Sequence, residues 1–339
     1  MKLPIHNTAG LAFLAGIALS TPAFAVVTID YVTIGNAGNA ADPADGDQST
    51  AGVQNFGAVA YVYQIGKNEV TISQYAEFLN NAATTDTHGL WNSLMGTNLN
   101  IAGITRSGNS GSYSYSVTGS GLRPITYVSW FDAARFTNWM HNGQGSGSTE
   151  TGAYTLNGAM GGIITKNVSA QSWLPSEDEW YKAAYYDPNK GGVGVGGYWA
   201  QATQSNTVAG NTIGTANSAN YFDGDYAVTQ SNSYSSSQNY LTDVGAYGAN
   251  SDSAYGTNDQ AGNVFEWNDA VIGSSRGLRG GSWDLNSDIL PASLRNVNTP
   301  TLELNFVGFR VASVPEPSAL LLTMIAASVS LTRRRRSPL

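Results

Sequence analysis

The sequence predicts an α+β domain of irregular build, with short helices, few strands and long ordered loops. Three observations carry that expectation. Three helix starts stand out by their capping residues, each followed by a short apolar stripe. Only a few short segments show the alternation or apolar run of a strand. Between them lie Gly143–Asn167 and Gly191–Asn250, rich in Gly, Ser, Asn and Thr yet studded with aromatic residues. Such stretches are too polar for core and too aromatic for simple linkers, so they read as surface loops held down by tyrosines.

Taken in order, residues 1–25 have the layout of a secretory signal. Lys2 supplies a charge, Leu11–Leu19 an apolar run and Ala23-Phe-Ala25 a small-residue cleavage site. Residues 26–57 hold a strand over Val26–Ile34 and a loop over Gly35–Gly57. Within that loop, Asp42-Pro-Ala-Asp-Gly-Asp47 is either a small calcium loop or an ordinary solvated one. The main domain is expected over 58–313 and starts with a strand at Val59–Ile65. Thr71 begins the first helix, with Ile72, Tyr75 and Leu79 on one face. Ser129 begins the second, with Asp132 as its capping-box partner and Ala133, Phe136 and Met140 inward. Ser176 begins the third with Glu179 as partner, and Asp187-Pro188 stops it because a residue before proline avoids the helical region. Glu177, Asp178 and Glu179 then suit the positive end of the helix dipole. Val307–Val311 is a closing strand.

Composition limits the partners. Between residues 26 and 317, with Lys2 and Arg333 to Arg336 set aside, 11 basic residues face 24 acidic ones, a net charge of −13. Such a surface repels phosphate backbones, so nucleic acid is a poor partner, whereas divalent cations are compatible. There is no cysteine, and neither disulfides nor thiol chemistry are available. Eight Trp, eighteen Tyr and ten Phe supply apolar area for a large core. His88 and His141 show no metal-ligand spacing and read as surface residues.

The densest chemistry lies in Asn258-Asp-Gln-Ala-Gly-Asn-Val-Phe-Glu-Trp267. Asp259 and Glu266 bracket a turn in which Gly262 can take φ > 0 at little cost. Carboxylates and main-chain carbonyls converging on such a turn can hold a hard cation such as Ca²⁺. The alternative is a packed turn whose Glu266 pairs with an arginine such as Arg279 or Arg295.

Six segments in order then resemble the formylglycine-generating enzyme (sulfatase-modifying factor) family. They are Ile65-Gly-Lys-Asn-Glu-Val-Thr71, Arg123-Pro-Ile-Thr-Tyr-Val-Ser-Trp130, Trp173-Leu-Pro-Ser-Glu-Asp-Glu-Trp180, Gly262-Asn-Val-Phe-Glu-Trp267, Arg279-Gly-Gly-Ser-Trp283 and Gly308-Phe-Arg310. The resemblance implies an irregular C-type-lectin-like fold. It also implies a structural calcium site, with side-chain oxygens from Asp259 and Glu266 and backbone carbonyls from Gly262 and Val264. A second family calcium site begins at a pair matching Asn220 and Tyr221. Its downstream aspartate has no match, since Ser236 falls near that place and only Asp223 or Asp225 could substitute.

The departure from the family matters as much. The family's oxidase chemistry uses two copper-binding cysteines, and Leu285 and Leu290 occupy their places. Leucine has no thiolate and no redox state, and no copper or iron site is evident. The resemblance therefore implies a preserved scaffold without its catalytic sulfurs, a binding or structural module. The competing class is an oxidoreductase of this family with a cysteine-independent metal site, which formylglycine formation on a sulfatase peptide would reveal.

Residues 314–339 add a second resemblance. Val314-Pro-Glu-Pro317 precedes an apolar run, Ser318–Thr332, and then Arg333 to Arg336. This is similar to the PEP-CTERM sorting tail of Gram-negative bacteria, which implies an exported protein, a transient membrane anchor and an exosortase-type processing enzyme. A permanent anchor is the plainer alternative. A polysaccharide or matrix ligand in the cell envelope is the partner this placement implies.

Overall fold

The computed structural model describes residues 26–44 and 54–315. The signal segment, Asp45 and Asp47 of the acidic loop, and the tail from residue 316 lie outside the described residues. In chain order the elements are β1 (Tyr31–Ile34), β2 (Tyr63–Gly66), α1 (Ile72–Ala82), α2 (Leu94–Thr97), β3 (Ile104–Ser107), β4 (Ser114–Val117) and α3 (Trp130–His141). They continue with β5 (Ser172–Trp173), α4 (Glu177–Tyr185), β6 (Tyr186–Asp187), β7 (Gly197–Tyr198), β8 (Phe265–Ile272) and β9 (Ser275–Arg279). The last are β10 (Asn296–Asn298), β11 (Val307–Phe309) and β12 (Ala312–Ser313). The build is α+β, and most of the chain between α4 and β8 is ordered loop.

The helix starts lie where the capping residues place them. The Thr71, Ser129 and Ser176 side chains accept from the backbone N–H three residues on, and each is answered by a side chain from that third position. Two otherwise orphaned N–H groups are satisfied at each start. Strands are less local. β1 and β2 are shorter than Val26–Ile34 and Val59–Ile65 suggest, because pairing extends only over Tyr31–Ile34 against Tyr63–Gly66. The longest strand, β8, had no alternating signature: Phe265, Glu266, Trp267 and Asn268 are all buried, so both faces are covered.

Two four-stranded sheets organise the molecule, in the orders β1-β2-β12-β5 and β10-β9-β8-β11. Among the named strand pairs of the described residues only β8–β11 is parallel, with Glu266 opposite Gly308. The second sheet packs into a core of aromatic side chains from α1 and α3. Tyr75, Phe78, Phe136, Trp139 and Phe309 meet with ring centroids 5.3 to 6.5 Å apart. α4 carries a second cluster, in which Trp180, Tyr181 and Tyr185 pack on Tyr221 and Leu290. Tyrosines hold the long loops down as their composition suggests: Tyr221, Tyr240 and Tyr247 are buried. The histidines are less free than expected. His88 lies 3.2 Å from Glu150, and His141 Nδ1 accepts from the Gln171 N–H.

Candidate functional site around the Asp259–Glu266 turn

Glu266 projects from β8 into the interior and is fully buried. Its two oxygens accept from Arg310 Nε at 2.6 Å and Nη2 at 2.7 Å, and Oε2 also accepts from Trp180 Nε1 at 2.8 Å. Arg310 uses its remaining N–H groups on the carbonyls of Gly66, Lys67 and Asn258. All five guanidinium donors are thereby used, which is what a buried arginine requires. One side chain thus ties β2, the Asn258 turn, β8 and the end of β11 together.

The arginine expected at Glu266 was Arg279 or Arg295, and the structure corrects this. Arg279 sits opposite Glu266 in the β8–β9 ladder, yet its Nε donates to Glu177 Oε1 at 2.8 Å. Arg295 Nη2 donates to Glu177 Oε2 at 2.6 Å. The reason lies on α4, where Glu177 and Trp180 are three residues apart and share one face. Glu177 takes the two nearby arginines, while Trp180 fills the space beside Glu266. The acidic start of α4 therefore does more than complement a helix dipole. Asp178 accepts from the Gly57 N–H, and Glu179 accepts from Tyr61 Oη and Trp173 Nε1.

The rest of the turn is built by backbone. Asp259, at φ 57°, accepts from the Gly245 N–H at 2.6 Å, and burial pushes its carboxyl up to about 6 against that bond. Gly262 at φ 79° is bridged to Asn220, and a Cβ there would lie 2.3 Å from the Asn220 carbonyl oxygen. Only glycine admits that approach. Asn263 N–H donates to the Asn220 carbonyl, and Asn263 Oδ1 accepts from Asn220 Nδ2. The Val264 side chain is in the main core. Tyr221 Oη donates to the Ala209 carbonyl, and Asp225 accepts from Asn211 Nδ2.

The structure therefore brings the two expected calcium segments together as one hydrogen-bonded junction. Their donors are oxygen, the chemistry a hard cation prefers. The Glu266 oxygens are largely engaged already. Three of Glu266's acceptor sites serve Arg310 and Trp180, and Asn220 donates into the junction. Among the described residues no three His, Asp or Glu side chains gather as a metal-holding group. One acceptor is left over: Glu69 Oε2 is buried with no hydrogen-bond partner, and burial followed by Asp259 drives that carboxyl well above its usual range.

Leu285 and Leu290 sit beyond the Arg279–Trp283 segment. Leu285 packs against the main core and Leu290 is buried in the second cluster. Two tyrosines of the Gly191–Asn250 loop, whose tyrosines the sequence offers as a ligand surface, form a stack of three rings with Trp283. Trp283 and Tyr240 are parallel within 1° at 5.1 Å, and Tyr234 continues the stack at 5.9 Å and 15°. Trp283 and Tyr240 are buried, whereas Tyr234 is 57 % exposed. Tyr234 Oη donates to Asn100 Oδ1, which fixes the outer ring. The pairing joins residues more than forty positions apart, so no local pattern announces it.

Comparison with known proteins agrees with this architecture. Residues 32–314 match the sulfatase-modifying factor enzyme 1-like domain. No curated protein matches the chain. Among solved structures, the fold resembles Treponema denticola variable protein 1, with a TM-score of 0.51 and 19 % identity, covering 86 % of this chain and 98 % of that one. CarF aligns with a TM-score of 0.48 and 20 % identity, over 86 % of this chain and 100 % of its own. PvdO from Pseudomonas aeruginosa aligns with a TM-score of 0.46 and 16 % identity, over 85 % and 92 %.

Proposed function

We propose, from the premise that this chain belongs to the sulfatase-modifying factor enzyme 1-like domain family, that it is a non-catalytic module binding polysaccharide of the cell envelope or extracellular matrix. The family's oxidase chemistry needs two sulfurs, and Leu285 and Leu290 are aliphatic side chains packed into core clusters. The observation that carries the reading is the Trp283–Tyr240–Tyr234 stack, whose outer ring, Tyr234, is largely exposed and held by Asn100. Sugar rings stack on such faces, and a ring held in place loses little freedom on binding. Ser235, Ser237 and Gln238 follow Tyr234 in the loop and carry hydroxyl and amide groups. Export to the envelope is part of the proposal and rests on residues 1–25 and 314–339, with the tail anchoring until an exosortase-type enzyme cuts it. The acidic body makes nucleic acid a poor ligand.

The test is a polysaccharide pull-down and glycan array with the intact protein and its Tyr234→Ala variant. Retention should fall about ten-fold in the variant, the effect of losing about 1.4 kcal/mol. Equal retention by both proteins, or none by either, would refute the proposal. Formylglycine on a sulfatase peptide would return the chain to the enzymes.

A further inference from the structure

A groove on the described surface shares no lining residue with the ring stack. It has a volume of ≈ 380 Å³ and is lined by Tyr61, Val62, Lys166, Val168, Trp173 and Val314, among others. Tyr61 is 48 %, Val62 42 % and Val168 fully exposed to water. Lys166 lies over the Trp173 ring, 4.2 Å from its centroid, and is the only charged lining residue among the described ones. On a protein this acidic, an apolar face with a single cation is an exception.

Two facts say what covers it. First, the last two described residues, Val314 and Pro315, form one wall. The apolar run begins at Ser318, three residues later. Three residues span at most about 10 Å, so if the run enters a bilayer, the groove is held at headgroup level. Second, the exposed lining has residue types of a membrane interface: Tyr61 with its ring outward, the valines Val62, Val168 and Val314, and Lys166, whose ammonium stands over the buried Trp173 ring. Tyr61 Oη already points inward to Glu179, which leaves its ring on the surface.

We propose that this groove is a membrane-docking face, and that it rests against the bilayer while the tail is anchored. The inference rests on the anchor reading given above, and its test separates the two. Because the chain has no cysteine, single-cysteine variants of the full chain can each carry one environment-sensitive dye. Val168→Cys reports the groove, Leu321→Cys the tail, and Leu99→Cys an exposed loop beside Tyr234's partner Asn100. The probe is a vesicle of phosphatidylethanolamine and phosphatidylglycerol. The expected result is a blue-shifted, severalfold brighter signal at positions 168 and 321 and none at 99, with lipid-borne quenchers dimming the same two.

Other outcomes overturn the proposal. A shielded 321 with a wet 168 leaves the anchor standing and removes the docking face. A wet 321 removes both. A response at all three positions means unspecific adsorption. Shielding of 168 before vesicles are added means that the groove holds the chain's own tail or a second copy instead.

Discussion

Arg310 grips Glu266 through two hydrogen bonds of 2.6 and 2.7 Å, and neither side chain is reached by solvent. The pair joins the closing segment of the chain to β8 and, through the Gly66 and Lys67 carbonyls, to β2. Breaking one half of a buried pair strands the other charge, at a cost of about 3–5 kcal/mol. Arg310→Met should therefore lower the unfolding free energy by about that amount in a denaturant titration. A loss near the roughly 0–1 kcal/mol of exposed pairs would mean that the grip is not closed in solution.

The same grip makes a statement about calcium. With Glu266 engaged by Arg310, chelation should leave the melting temperature unchanged, because no cation bound to the native state would be lost. A melting temperature that falls in EDTA and recovers with calcium would instead place a cation beside Asp259.

Two glycines at similar angles separate strain from crowding. Gly256, at φ 82°, has open space where a Cβ would go, and Gly262, at φ 79°, has the Asn220 oxygen 2.3 Å away. Gly256→Ala should cost roughly 1–2 kcal/mol, the price of the left-handed angle alone. Gly262→Ala should cost clearly more, since backbone must move. Equal losses in thermal unfolding would show that the Asn220–Gly262 junction is loose.

Asp132 gives the stability a pH dependence. Burial raises its carboxyl from 3.8 to about 7, against the hydrogen bonds from Ser129, while Glu303 raises it and Arg135 lowers it. The folded state therefore binds this proton more tightly than the unfolded chain does. Its contribution is greatest below the unfolded value and is lost as pH rises through the folded one. The melting temperature should decline between pH 3.8 and about 7, and Asp132→Asn should flatten that slope. An unaltered slope in the variant would count against it.

The cap of α4 is a smaller, local test. Ser176 accepts from the Glu179 N–H, and Ser176→Ala should cost about 1 kcal/mol. Glu179→Gln should cost more, because Tyr61, Trp173 and the Ser176 N–H all donate to that carboxylate.

What the residues alone determined is what acts over three or four positions: the starts of α1, α3 and α4, the left-handed turn at Gly262, and the absence of thiol chemistry at Leu285 and Leu290. The partners in the site were decided by tertiary structure. Glu266 had Arg279 opposite it in one ladder and Arg310 two residues past its opposite number, Gly308, in the other. Which arginine it took depended on Glu177, 89 positions earlier, having claimed the first. Trp283 likewise stacks on Tyr240, more than forty positions earlier, only once the fold brings the two segments together, while Tyr234 joins from the same loop as Tyr240. Capping bonds close short loops that the chain visits readily, whereas charge pairing and ring stacking between distant segments follow from packing, which no short window of sequence contains.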